Sequence, residues 1–593
     1  MLFGMFELLC ARRLVAVLML AGLLSTLVIG QASAPDTFVA IPPADVARYH
    51  IDFSRHFFAS PEAEKADRAN LFATLNELQT LKGKVAASAN NLELALQLND
   101  RASVQLRKHD SYLYLRNAVN TADVTSLAEN STLDAEVSAR TDFLREELMQ
   151  LDDGRLAAFI AQKPSLKSQL FAIESVRRYR PYTLSLKEEQ LLSTTAPDND
   201  WPAELYAKLR ALPQVNSFQR DLFAFTLMRL ASSRTRSAQL HHFPDAASQV
   251  YLNSYWTKAE VDDLMEQIAQ HAELYKRYQR LRINYLGRTA DEKGKSDQPV
   301  SAPPRYTIDR ASEIIRGALE PLGPEYGREL EALLDPANGR MDIVPGEQRK
   351  RGGFSQGFIG TDSVFYSSGF AGSYNDLRVL THESTHAVHR QLMNRNHVLP
   401  PYAEGPHYLF EAFAIFNELL LPDFLYRHEI DPARRQFYLE RILEGKGMEI
   451  FRVAPEVVLE HAVYEGVKNG AIKGADDLDT LTQRTFARYW VSEKSDSLKT
   501  QWLTISLMYE DPFYDVNYVY GALLALNFYE MYLRDPKRFV PRYIALMKNG
   551  FDATPAVLLR RFLDLDLHDP RLLANALKVV EEKVNLLDKS YQK

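Results

Sequence analysis

Thr257-Lys258-Ala259-Glu260-Val261-Asp262-Asp263-Leu264-Met265-Glu266-Gln267-Ile268 carries in miniature the pattern on which most of this chain is written. Thr257 and Glu260 form a capping box, each side chain satisfying a backbone N–H that the first turn of a helix leaves open. Val261, Leu264, Ile268, Tyr275 and Tyr278 then fall on one side of a helix expected to end near Gly287. Apolar residues three and four apart, few glycines and hardly any alternating Val, Ile or Thr runs continue this pattern from about Ala44 to Arg282. The expected scaffold is all-α. From Arg288 to Arg305 the chain turns polar and holds three prolines, which reads as an exposed loop.

One region breaks the helical period. Met341 to Gly372 contains seven glycines around Ser363-Val364-Phe365-Tyr366-Ser367, the signature of a small hairpin or sheet. The Ser363–Ser368 stretch is expected to present an edge strand to which an extended peptide could add by backbone pairing.

The whole chain has 593 residues, 46% apolar, 25% charged and 11% aromatic, which excludes a disordered, collagen-like or multi-span membrane protein. A formal charge of −7 leaves no basic footprint for nucleic acid. Arg12 and Arg13 precede an apolar run from Leu14 to Gly30, and Ala32-Ser33-Ala34 follows, so residues 1–34 read as a secretory signal peptide. An uncleaved membrane anchor is the alternative. The single cysteine, Cys10, lies inside that segment, so an exported chain would carry no disulfide, which points to a bacterial periplasm. Three regions are expected: the leader 1–34, an N-terminal helical region 35–199, and a catalytic region 200–593.

Thr381-His382-Glu383-Ser384-Thr385-His386 follows the glycine-rich stretch directly. On a helix capped by Ser373 and Asp376, His382 and His386 lie one turn apart on one face and can grip one metal ion. Glu383 is about 100° around from His382, positioned to reach a water on that metal as a general base. A catalytic zinc needs a third protein ligand, and the candidates are His389, Glu404, His407, Glu411 and Glu418. His389 is a further turn along the same helix, a difficult reach. Glu411 and Glu418 share a face of the apolar run Tyr408 to Glu418, where an unpaired carboxylate is costly to bury and a metal removes that cost. Glu418 is a natural partner for a ligand histidine.

The ordered series Arg351-Gly352-Gly353-Phe354-Ser355, Gly369, Asp376, His382 to His389 and Phe410 to Glu418 resembles the oligoendopeptidase F branch of the M3 metallopeptidases. Leu322 to Tyr326, Pro512-Phe513-Tyr514, Tyr518 and Gly521 extend the likeness, which covers roughly residues 200 to 590. The resemblance implies a helical ellipsoid with a deep channel for short unstructured peptides, the small sheet lying next to the zinc helix. It implies His382, His386 and Glu411 as zinc ligands and Glu383 as base. Tyr514 and Tyr518 are the candidate donors to the developing oxyanion, with Tyr520 in reserve.

Two positions depart from the family pattern. Thr385 stands where Gly is common, and Leu507-Met508-Tyr509-Glu510-Asp511 precedes Pro512 where family members usually carry a histidine. The expected function is zinc-dependent endopeptidase action on short peptides. The alternatives are an exopeptidase of the dipeptidyl carboxypeptidase kind and a catalytically weakened zinc-site protein that binds peptides. Two imidazoles and a carboxylate also accept cobalt or manganese.

Overall fold

The computed structural model describes residues 38–185, 188–189, 191–192, 201–212, 216–293, 303–491 and 498–592. The leader assigned to residues 1–34 and the centre of the polar loop, 294–302, lie outside the described residues. Within them the chain is helical almost throughout, with one three-stranded sheet. The all-α expectation with a small sheet is met. The chain divides into two compact units, each assembled from separate stretches of sequence.

The first unit takes Met1–Arg180, Pro304–Gly405 and Asp535–Asp566. Two long helices, Ala89–Val119 and Val124–Gln150, are joined by a short turn in which the Asp123 side chain accepts the Ser126 N–H and so starts the second helix. Leu92, Leu96, Phe143, Leu144 and Leu148 close a core between them. The sheet contains β1 (Met341–Asp342), β2 (Gly353–Gln356) and β3 (Val364–Ser367) in the order β1-β3-β2. The strand β3 runs parallel to β1 and antiparallel to β2, with Phe354 opposite Tyr366. Ser363–Ser368 is therefore no edge: β3 is the central strand, its backbone groups engaged on both sides, and β1 and β2 form the edges. Phe354, Val364 and Tyr366 seat the sheet on Phe57, Phe58 and Leu115.

The helix Tyr374–Arg395, hereafter the histidine helix, packs against β2, β3 and the helices Pro324–Leu334 and Pro536–Asn549. Ser373 and Asp376 cap it reciprocally, as the sequence predicts. Leu377, Leu380, Val388 and Leu392 anchor its apolar face, each such residue contributing about 1.5–3 kcal/mol by burial.

The second unit takes Pro181–Pro303, Pro406–Arg534 and Leu567–Lys593. Its Thr257 capping box forms as expected, but that helix stops at Gln270 and a second runs from Ala272 to Lys293. His271 interrupts the pattern by leaving the helical conformation, with ψ near 7°, and donating its N–H to the Ile268 carbonyl. Beyond it the helix passes through Gly287, where a glycine costs about 1 kcal/mol and does not force a stop. The apolar helix His407–His428, the glutamate helix, lies along the helix Val516–Arg534. Gly521 permits their close approach: a Cβ there would sit 3.2 Å from the Glu411 Cβ and 3.3 Å from the Tyr408 carbonyl oxygen. Pro422 and Pro455 lie inside helices of this unit, and Tyr206, Phe223, Leu459, Trp502 and Tyr509 build a core within it.

Candidate metal centre

On the histidine helix, His382 and His386 are both buried, and their Nε2 atoms face each other at 3.1 Å with ring planes at 83°. Two imidazole nitrogens on one tetrahedral zinc, each about 2.05 Å from it, stand about 3.3 Å apart. The pair thus fits a metal by separation and by chemistry. Glu383 is 3% exposed, and its Oε2 accepts two hydrogen bonds from Ser355 on β2, from the N–H at 3.0 Å and from the hydroxyl at 3.2 Å. Arg390, seven residues further along the helix, donates through Nη1 to the Ser355 Oγ at 2.9 Å.

The two threonines beside this pair are satisfied locally. The Thr385 hydroxyl donates to the Thr381 carbonyl and that of Thr381 to the Leu377 carbonyl, both at 2.9 Å. A threonine in place of glycine at 385 therefore introduces no stray polar group. His389 is buried and held neutral: burial foremost, then the charge of Arg390, lower its pKa to about 3 against a backbone bond with Met547. Its ring lies against Phe551. Glu404 is taken up in an ion pair with Arg107 at 2.6 Å.

In the second unit Glu411 is buried on the glutamate helix, with Glu418 two turns on, 3.8 Å from the Lys446 ammonium. Lys446 also bonds Glu449 at 2.9 Å, from a π-helical turn, Leu443–Gly447. The rings of Tyr514 and Tyr518 meet edge to face at 5.4 Å, and His407 lies 5.8 Å from Tyr514. Burial and then the negative charge of Glu411 hold the Tyr518 hydroxyl well above the usual tyrosine range, so it remains a donor. Tyr520 is engaged elsewhere, stacked on Trp256 at 4.0 Å and packed on Tyr408.

Just before Tyr514 the backbone is strained. Phe513 has φ of 68°, a left-handed conformation rare for a bulky side chain. Its N–H donates to the buried Glu460 Oε2 at 2.8 Å, and its ring sits among Tyr251, His461 and Tyr464. Burial, followed by the charge of Asp515, pushes Glu460 well above the usual carboxylate range. Sequence reading missed Ser355 as a partner of Glu383 and of Arg390, and Glu460 as the anchor of Phe513. Ser355 stands inside a motif quoted for the resemblance, but no spacing rule links it to a residue 28 positions away.

Comparison with known proteins decides the family. Residues 336–576 match the model of peptidase family M3, and residues 147–210 match that of oligopeptidase F. The chain belongs to peptidase family M3. As an M3 peptidase it is a hydrolase of peptide bonds, and family membership implies a metallopeptidase. It is 24% identical over 588 residues to oligopeptidase PepF of Bacillus subtilis (strain 168), covering 90% of this chain and 86% of that protein. The M3 fold recurs in a putative peptidase from Chlamydophila abortus, with a TM-score of 0.78 at 18% identity over 92% of this chain and 98% of that one. It recurs again in the oligoendopeptidase-F of Enterococcus faecium, with a TM-score of 0.62 at 19% identity over 89% and 98%. The family-model match reaches back to residue 147, earlier than the motifs show, because amphipathic helices without chemistry-bearing residues keep their pattern while their letters change.

Proposed function

We propose that this M3 peptidase is a zinc-dependent endopeptidase acting on short unstructured peptides, with His382, His386 and Glu411 as metal ligands. The observation that carries the reading is the pair of buried imidazoles facing each other at 3.1 Å beside a carboxylate already held in place. Each of the three ligand residues is buried and offers one ligand atom. Two neutral imidazoles and one carboxylate suit zinc and leave a fourth position open for water or substrate.

A zinc ion held there would polarise the peptide carbonyl and lower the pKa of bound water toward about 7. Glu383 takes the proton as water attacks the carbonyl carbon and returns it to the amine as the C–N bond breaks. Ser355 donates two hydrogen bonds to the Oε2 of Glu383 and so helps to hold its carboxylate. Tyr514 and Tyr518 donate to the oxyanion as it forms, Tyr518 being kept a phenol by burial and the charge of Glu411. Broad tolerance for peptide sequence is the expected consequence, since none of these residues reads a substrate side chain.

The test is cleavage of quenched-fluorescent peptides by Glu383→Gln, which is expected to lose activity by a factor on the order of 10² to 10⁴ while retaining zinc. Undiminished turnover would remove Glu383 from the mechanism. Product analysis on peptides blocked at both ends separates internal cleavage from removal of terminal dipeptides. A second reading, a zinc-site protein that binds peptides with little turnover, draws on the Leu507–Asp511 stretch, where Met508 and Tyr509 are buried in an apolar core. Chelator-sensitive hydrolysis at a useful rate would eliminate it.

We also infer export to a periplasm, on the charged, apolar and small-residue order of residues 1–34 and the absence of cysteine beyond Cys10. Among the described residues no helix is long and apolar enough to cross a membrane. N-terminal sequencing of the protein from fractionated cells decides the matter, and a mature protein retaining Met1 in the cytoplasmic fraction would refute export.

A further inference from the structure

We infer that Glu460 is a positioning residue: by accepting the Phe513 N–H it holds Phe513 in a left-handed turn and so sets where the next residue, Tyr514, presents its hydroxyl. This rests on the proposed role of Tyr514 as a donor to the oxyanion, and every residue involved belongs to the second unit. A phenylalanine has no preference of its own for a φ of 68°, so its surroundings must supply the constraint. They act on backbone and ring alike. Glu460 takes the N–H at 2.8 Å, while the adjacent His461, with Tyr251 and Tyr464, encloses the ring at centroid distances of 5.8, 6.0 and 4.5 Å. His461 is itself fixed, between the Tyr251 hydroxyl at 2.7 Å and the Asp262 Oδ1 at 2.8 Å.

The turn leads directly into Tyr514. The Tyr514 N–H donates to the Asp511 carbonyl at 3.1 Å, and the Tyr514 carbonyl accepts the Asn517 N–H at 2.8 Å and the Asn517 side-chain amide at 3.0 Å. Those bonds close the loop on itself and onto the start of the helix Val516–Arg534. The Glu460 bond ties it instead to a different helix, Glu449–Lys468. Glu460 is 1% exposed, and its second oxygen has no hydrogen-bond partner among the described residues. A buried carboxyl with so few bonds works against stability, so its retention points to a task other than stabilising the fold. Burial first, then the charges of Asp515, Asp511 and Glu456, favour its neutral form against the Phe513 bond, which makes glutamine the matching replacement.

The test uses the full chain loaded with zinc. Glu460→Met removes the acceptor at similar volume. Phe513 then leaves the left-handed region in a share of molecules, and kcat should fall about fivefold to a hundredfold at unchanged KM for a quenched-fluorescent peptide and unchanged zinc content. Glu460→Gln keeps a carbonyl for the Phe513 N–H and should stay within about twofold of the wild type. Tyr514→Phe should itself be slow, and adding Glu460→Met to it should lower kcat by less than about threefold more, because both act through one hydroxyl.

Hydrogen exchange gives a readout apart from turnover: in Glu460→Met the amides of residues 511–515 should exchange faster while the helix Glu449–Lys468 keeps its protection. A wild-type kcat or unchanged exchange in Glu460→Met, a Glu460→Gln as slow as Glu460→Met, or a full further loss on top of Tyr514→Phe would overturn the inference. Should Glu460→Met not fold, Glu460→Asp, which draws the acid back by one methylene, takes its place with the same outcomes. The two readings fail separately. A wild-type rate in Tyr514→Phe removes Tyr514 from the mechanism, whereas a slow Tyr514→Phe beside an unaltered Glu460→Met removes only the positioning role.

Discussion

The histidine helix and the glutamate helix have the same length, 22 residues, and opposite construction. The first is started by a reciprocal cap at Ser373 and Asp376, and three of its buried polar side chains are answered close at hand: Thr381 and Thr385 by carbonyls of the same helix, Gln391 by the Thr361 carbonyl and the Ser363 hydroxyl, both at 3.1 Å. The second begins after Pro406 with no side-chain cap and is buried nearly all round from Leu409 to Asp423. Its seat is set by packing on the helix Val516–Arg534 over Gly521. One helix is specified by local bonds and the other by its neighbour, so the two should fail in different ways when altered.

The largest expected effect falls on the first. His386→Ala should reduce zinc from about one ion per chain to near none and abolish turnover with it, measured by metal analysis and peptide cleavage. Retention of a full complement of zinc would detach His386 from the site.

His389 supplies the next contrast. Its pKa is lowered to about 3 in the fold against about 6.5 unfolded, so the unfolded chain binds the extra proton first as pH falls. Its contribution is fully present above pH 6.5 and is lost progressively as pH falls toward 3, by about 2 kcal/mol between pH 6.5 and 5. Melting temperature followed against pH should show a shallower acid decline in His389→Gln than in the wild type.

On the glutamate helix, Gly521→Val should cost about 1–3 kcal/mol by overpacking. Gly521→Ala is sharper. A gain of about 1 kcal/mol in helix propensity offsets the crowding against Glu411 and Tyr408, so melting should stay near wild type while zinc retention and kcat fall. Equal losses of stability and zinc would mean that the contact merely packs. The smallest effect belongs to Ser373→Ala, about 1 kcal/mol of stability from a lost cap with zinc content unchanged.

Much of this was legible in the letters. Thr257 with Glu260 and Ser373 with Asp376 announced two helix starts because capping acts over three residues. His382, Glu383 and His386 announced a metal-ready face because a helix repeats every 3.6 residues. The stop at His271 escaped, since the apolar series from Val261 through Tyr278 continues across the break. The strand order escaped as well: a Val-Phe-Tyr run between glycines says strand, but whether it lies inside or at the edge depends on Met341 and Gly353, which reach it from either side.

The chain's own letters determined its helices, their caps, the spacing of the two histidines and the acid between them, and membership of family M3, because each depends on residues within a few turns or on a motif read in order. Tertiary structure alone decided that Ser355 bonds both Glu383 and Arg390, that Gly521 seats Glu411 against its neighbouring helix, and that Glu460 keeps Phe513 in a strained turn before Tyr514. Those contacts join positions that only packing brings within hydrogen-bonding or van der Waals reach, and no local propensity encodes them.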